Sequence, residues 1–89
     1  MILAKVIGHV VATQKSPELK GSNLLMIATL DDELNPLKNK TYVAVDSVGA
    51  GINDVVLAEE YFALNKDRYK AMSVVAIVEK VYRDRDSKE

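Results

Sequence analysis

The sequence predicts a mainly β protein: a small, closed or nearly closed barrel of five short strands, with one short helix before the last strand. Three observations carry this reading. Segments rich in β-branched residues recur along the chain, separated by stretches rich in Pro, Gly, Asn and Asp. Only one stretch has apolar residues at helical spacing, and it is short. The chain has 89 residues, enough for one domain with one thin core.

The first strand is expected over Ile2–Thr13. Its even positions are all small or apolar, while its odd positions mix Leu3, Ile7 and Val11 with Lys5, His9 and Thr13. Gly8 inside this run marks a bend or bulge. Gln14–Asn23, with Ser16-Pro17 and Gly21-Ser22, reads as a surface loop. Leu24–Leu30 is a strand that is apolar on both faces until Thr29. Asp31–Lys40 reads as a second loop around Asn35-Pro36. Tyr42–Asp46 is a short strand. It leads into the glycine-bearing turn Val48–Asp54, and Val55–Ala58 forms the next strand. Glu59–Tyr69 is the helix candidate, because Leu57, Tyr61, Leu64 and Arg68 share a helical face and Pro is absent. Ser73–Tyr82, centred on VVAIV, is the last strand. Residues 1–82 thus make one barrel domain. Arg83–Glu89 carries six charged residues and reads as a mobile tail.

Antiparallel strands of a half-solvated sheet show one apolar and one polar face. Leu24–Ala28 and Val74–Val78 are apolar on both. One face fills the barrel, and a single short helix cannot cover the rest. Exposed apolar surface of this kind marks a partner surface, so a homo-oligomer is expected.

Composition removes several classes of function. Twelve basic residues against thirteen acidic ones give a net charge of −1, which opposes a dedicated nucleic-acid binder and gives little attraction to an anionic membrane. There is no cysteine, hence no thiolate nucleophile, disulfide or Cys-bound zinc. No apolar run approaches the roughly 18 residues of a membrane helix. No basic segment precedes the apolar start, so a signal peptide is not expected.

Few residues suggest chemistry. His9 is the only histidine; it cannot build a multi-histidine metal site, and it reads as an outward strand residue or a subunit contact. Asp31-Asp32-Glu33 fits no calcium loop and reads as a solvated turn. Asp46 and Asp54 flank the glycine turn and suit capping or turn hydrogen bonds. Gly49-Ala50-Gly51 lacks the further glycines and following helix of a nucleotide loop; it reads as a tight turn needing positive φ, or as a close backbone approach between copies. Tyr42, Tyr61, Phe62, Tyr69 and Tyr82 are the only aromatics. Tyr69 lies beside Lys66, Arg68 and Lys70, which keeps an OB-type single-strand nucleic-acid module as the alternative. No catalytic residue, cofactor or metal site is expected.

Four blocks carry a resemblance to a known family. Leu3-Ala4-Lys5-Val6-Ile7-Gly8-His9-Val10-Val11-Ala12-Thr13 opens the chain. Pro17-Glu18-Leu19-Lys20-Gly21 follows, with Leu24-Leu25-Met26-Ile27 after it. The most specific block is Val43-Ala44-Val45-Asp46-Ser47-Val48-Gly49-Ala50-Gly51-Ile52-Asn53-Asp54-Val55-Val56-Leu57, and Val74-Val75-Ala76-Ile77-Val78-Glu79 closes the series. In this order, from Met1 to about Tyr82, they resemble the pentameric vertex proteins of bacterial microcompartment shells, the EutN/CcmL family. The chain departs from the family at Glu60-Tyr61-Phe62-Ala63-Leu64, where relatives have a Gly-Ser-Ser-Ala-Arg-like segment, and at Ala71, where an acidic residue is common.

The resemblance implies an OB-like barrel that assembles as a homopentamer and caps shell vertices beside hexameric shell proteins in the cytoplasm. It implies a structural protein, with no enzyme activity, nucleic acid or membrane partner. It places the turn Gly49, Ala50, Gly51, Ile52, Asn53 and Asp54 near the fivefold axis, bordering a narrow pore. Tyr61, Phe62 and His9 are the expected subunit contacts.

Overall fold

The computed structural model describes residues 1–19, 21–65, 69–82 and 84. Five strands run in the order β1 (Ile2–Val10), β2 (Leu24–Leu30), β3 (Pro36–Asp46), β4 (Val55–Asn65) and β5 (Tyr69–Ile77), with a 3-10 turn at Pro17–Leu19. They close into a barrel with neighbours β1-β2-β3-β5-β4, and β4 pairs back to β1. Every pair is antiparallel except β3–β5, which is parallel over Val45↔Ser73 and Asp46↔Val74. This is the expected OB-like barrel.

The pleat sets what lies inside. Residues directly opposite across a ladder share a face, so Ala4 with Val56, Val6 with Ile27, Leu25 with Ala44, and Ala58 with Val74 line the interior, all of them buried. The core is built from small and branched aliphatic side chains. Tyr42 is the one described aromatic packed against it, beside Ile2 and Met72. A five-stranded barrel has room for little more than one such layer. Each Val, Leu or Ile side chain fully buried there contributes about 1.5–3 kcal/mol.

Gly8 does sit at an irregularity. The β1–β2 register slips between Val6 and Gly8, leaving Ile7 as the extra residue of a bulge. The slip reverses the alternation, so His9 faces Leu25 across the ladder. The outward strand position expected for His9 is therefore corrected: it stands on the inner side of the sheet, at the open mouth of the barrel, where it stays exposed. On the outside, Met26 and Val43 stand opposite each other and both are exposed, so the two-sided apolar character of Leu24–Ala28 does leave apolar surface uncovered by this chain.

The expected helix is not formed. Glu59–Asn65 continue β4, and Tyr69 opens β5, with Phe62↔Ala71, Ala63↔Lys70 and Asn65↔Tyr69 paired; residues 66–68 lie outside the described residues. An isolated helix of about eleven residues is marginal in water. Prolonging β4 along β5 satisfies the same backbone groups without ending the ladder. β3 starts at Pro36, six residues before the expected Tyr42, because Pro is tolerated as the first residue of a strand. β1 ends at Val10, and β5 runs from Tyr69 to Ile77, earlier than the expected Ser73–Tyr82. The tail, residues 83–89, lies outside the described residues apart from Asp84.

Candidate functional site

Two turns and one cleft stand out from the barrel wall. The first turn joins β3 to β4. Asp46 Oδ1 accepts hydrogen bonds from the Val48, Gly49 and Ala50 N–H groups at 3.0, 3.0 and 3.3 Å. Gly49 has φ +83°, a conformation that costs an L-residue about 1–2 kcal/mol. The chain then turns again: the Asp54 N–H donates to the Gly51 carbonyl at 3.0 Å, and Asp54 Oδ2 accepts from the Gly51 N–H at 2.8 Å. Asn53 takes the left-handed place, φ +75°, which Asn tolerates better than most residues. The turn is stitched to β1, because Asn53 N–H donates to Val6 O and Val6 N–H donates to Asp54 O. Ala50, 8% exposed, is folded into the core, while Val48 and Ile52 remain exposed.

The aspartates therefore do the turn work expected of them. The positive φ expected for the Gly49–Gly51 segment falls on Gly49 and Asn53. Gly51 itself lies outside the left-handed region, and a Cβ added there meets only Asp54 Oδ2, at 3.9 Å. Within one chain Gly51 has no steric need to be glycine.

The second turn joins β2 to β3. Asp31 Oδ1 accepts from the Glu33 and Asn35 N–H groups at 2.8 and 2.9 Å. The Leu34 N–H donates to Asp31 O, and the Asp31 N–H donates to Asn35 O. This is a three-residue hairpin loop whose third position is left-handed. That position normally takes glycine; here it is Leu34, φ +67° and 40% exposed. Nothing in the sequence signals a leucine in that conformation. The acidic run Asp31-Asp32-Glu33 is the turn it was expected to be.

The cleft, about 400 Å3, opens at the other end of β2. Its apolar lining includes Val11, Leu24, Leu25 and Ala50, and its polar lining includes His9 and Lys15. Lys15 Nζ donates to the Ser22 carbonyl at 3.2 Å, which ties the ammonium to the cleft wall. Of the expected contact residues, His9 lines this cleft. Tyr61 and Phe62 lie on β4, and their side chains fall outside the described residues. Lys15 and Val11 were not singled out by sequence, since an exposed lysine and valine after a strand carry no signal of their own.

Comparison with known proteins fits this architecture. The family model described as ethanolamine utilisation protein EutN/carboxysome matches residues 1–79. The chain belongs to the EutN/CcmL family. The carboxysome shell vertex protein CcmL of a Nostoc species is 39% identical over 87 residues, covering 92% of this chain and 86% of the relative. That of a Synechocystis species is 47% identical over 68 residues, 76% of this chain and 67% of the relative. Among solved structures, the GrpN pentameric microcompartment shell protein from Rhodospirillum rubrum superposes with a TM-score of 0.83 at 38% identity, covering 93% of this chain and 98% of that one.

Proposed function

We propose that this chain is a vertex subunit of a bacterial microcompartment shell, acting as a homopentamer with a structural role. The observation that carries the reading is the shared barrel: nearly the whole chain and nearly the whole of a pentameric shell protein occupy the same fold at 38% identity. Geometry supplies the mechanism. A flat sheet of hexagonal tiles cannot close without pentagons, and a rigid five-membered ring of wedge-like barrels provides one. The partners at its rim are hexameric shell proteins, and its place is the shell of a compartment in the cytoplasm. A ring built from one kind of subunit uses two different surfaces on each copy, in a heterologous contact that closes.

Within the ring, the Gly49–Asp54 turn faces the fivefold axis, and His9, Tyr61 and Phe62 contribute to subunit contacts. The exposed apolar residues on this turn and on the outer β2–β3 face support such contacts. The nucleic-acid alternative is not favoured, since the relatives are shell vertex proteins. Native mass spectrometry tests the reading: five copies of 9.8 kDa give a species of about 49 kDa. A chain that stays monomeric at micromolar concentration overturns it.

A further inference from the structure

The two edges of β3 are used differently. On one side β2 pairs with it between Pro36 and Val45, but on the other β5 pairs with it only at Val45 and Asp46. From Pro36 to Ala44 that second edge has no strand beside it among the described residues. A free edge presents unused N–H and C=O groups, a template for a strand of another chain. The residues along this one invite such pairing. Thr41-Tyr42-Val43-Ala44-Val45 is uncharged and rich in β-branched and aromatic side chains, a composition prone to strand-to-strand association, and Thr41 and Val43 are exposed. We infer that Pro36–Lys40 is a guard on this edge: it keeps Thr41–Val45 from adding to a strand of another copy, so that copies meet through side-chain surfaces and not by edge-to-edge pairing.

Three observations carry the inference. The first is the backbone. Between Ala28 and Leu30 β2 advances by two residues, while β3 advances by five from Pro36 to Thr41. The three extra residues make a bulge, and within it Asn39 is left-handed, φ +64°. A strand adding along this edge needs evenly repeating, extended partners, and a bulge interrupts them. Only Thr41–Ala44 remains both extended and free, which is short for a ladder. The second is Pro36 at the start of the strand, which has no N–H to offer. The third is charge. Lys38 and Lys40 stand just before the uncharged segment, and every residue from Pro36 to Thr41 is exposed. A strand laid against this edge would have to strip water from the two ammonium groups, which is costly where no opposite charge receives them. Proline, bulge and lysine are the devices that blunt an exposed edge, and here all three fall within five residues.

The charge and the bulge can be removed separately. Lys38→Thr/Lys40→Thr keeps exposed, strand-compatible residues, so the subunit should fold and melt as before. It loses two positive charges, taking the net charge from −1 to −3, and charge repulsion alone would then make the chain more soluble. The guard predicts the opposite. Thioflavin T fluorescence and the high-mass fraction in size-exclusion chromatography should rise about tenfold or more over the wild-type chain. Lys38→Glu/Lys40→Glu, which keeps charge on the edge, should behave as the wild type. Deleting Lys38, Asn39 and Lys40 leaves Leu37 opposite Thr29 in unbroken register, and this chain should associate as the threonine variant does; where the deletion does not fold, the lysine variants decide. A folded threonine variant with the wild-type mass distribution overturns the inference. So does association without thioflavin binding, or a glutamate variant that associates equally. The guard does not require the ring: the native mass of the wild-type chain tests the proposed pentamer separately.

Discussion

The two turns at the ends of β3 solve one problem in opposite ways. Each is organised by one aspartate that gathers backbone N–H groups: Asp46 takes three, and Asp31 takes two. Each places a residue in the left-handed region. At the β3–β4 turn Gly49 and Asn53 are the left-handed residues, and the turn folds back so that Ala50 joins the core and Asn53 bonds to β1. At the β2–β3 turn the left-handed residue is Leu34, which stays 40% exposed. A turn that completes the core uses glycine where its backbone must bend. The β2–β3 turn keeps a large side chain at some cost to its own stability. The contrast separates a turn that completes the core from one that leaves a large apolar residue exposed.

The sharpest way to break this contrast is Asp46→Ala. It leaves three N–H groups without their acceptor, one of them on the buried Ala50. Bonds to a charged acceptor contribute about 1.5–3 kcal/mol. A loss of about 2–3 kcal/mol in urea unfolding is expected. The parallel change, Asp31→Ala, should cost about 1 kcal/mol or less, because its two N–H groups turn to water. Equal losses would mean that both turns are structural and that the contrast is wrong.

Next in size is Gly49→Ala. With φ +83° and no atom within 4 Å of an added Cβ, its cost is conformational strain alone, about 1–2 kcal/mol. Circular-dichroism melting measures it; an unchanged midpoint would remove glycine's role at this turn.

Leu34→Gly carries the opposite sign. Relief of left-handed strain should stabilise the subunit by about 1 kcal/mol, offset in part by the greater freedom of glycine in the unfolded chain. Lower stability of the subunit in dilute solution would show that Leu34 packs on its own chain.

What was legible in the sequence divides along the same line. Leu24–Leu30 was read with its observed boundaries, because a continuous apolar run bounded by turn residues admits few alternatives. Gly8 signalled its bulge, since a glycine inside a β-branched run has few other uses. Asp46 and Asp54 could be read as turn acceptors from their place beside Gly49 and Gly51. The stretch from Glu59 was misread because Leu57, Tyr61 and Leu64 mimic a helical stripe, while the competing interaction, the ladder to β5, depends on residues about ten positions away. The cleft was invisible for a similar reason: Val11, Lys15 and Leu24 meet only after the chain has turned. Leu34 was invisible for a different one, since sequence expects glycine where φ is positive.

The smallest effect is the most discriminating for the β3–β4 turn. Gly49 and Gly51 are two residues apart and look alike in sequence, yet only Gly49 has a left-handed backbone. Gly51→Ala adds a methyl group that makes ordinary contact with Asp54 Oδ2 at 3.9 Å, and it narrows the freedom of the unfolded chain. A subunit stability unchanged, or raised by up to about 1 kcal/mol, is therefore expected. If the turn faces the fivefold axis, five added methyl groups crowd one another there, and the pentamer weakens although the barrel does not. A native mass spectrum and a thermal melt of this one variant then separate the two uses of glycine. Loss of the ring with an intact melt marks close approach between copies. An intact ring with an intact melt places Gly51 away from the axis.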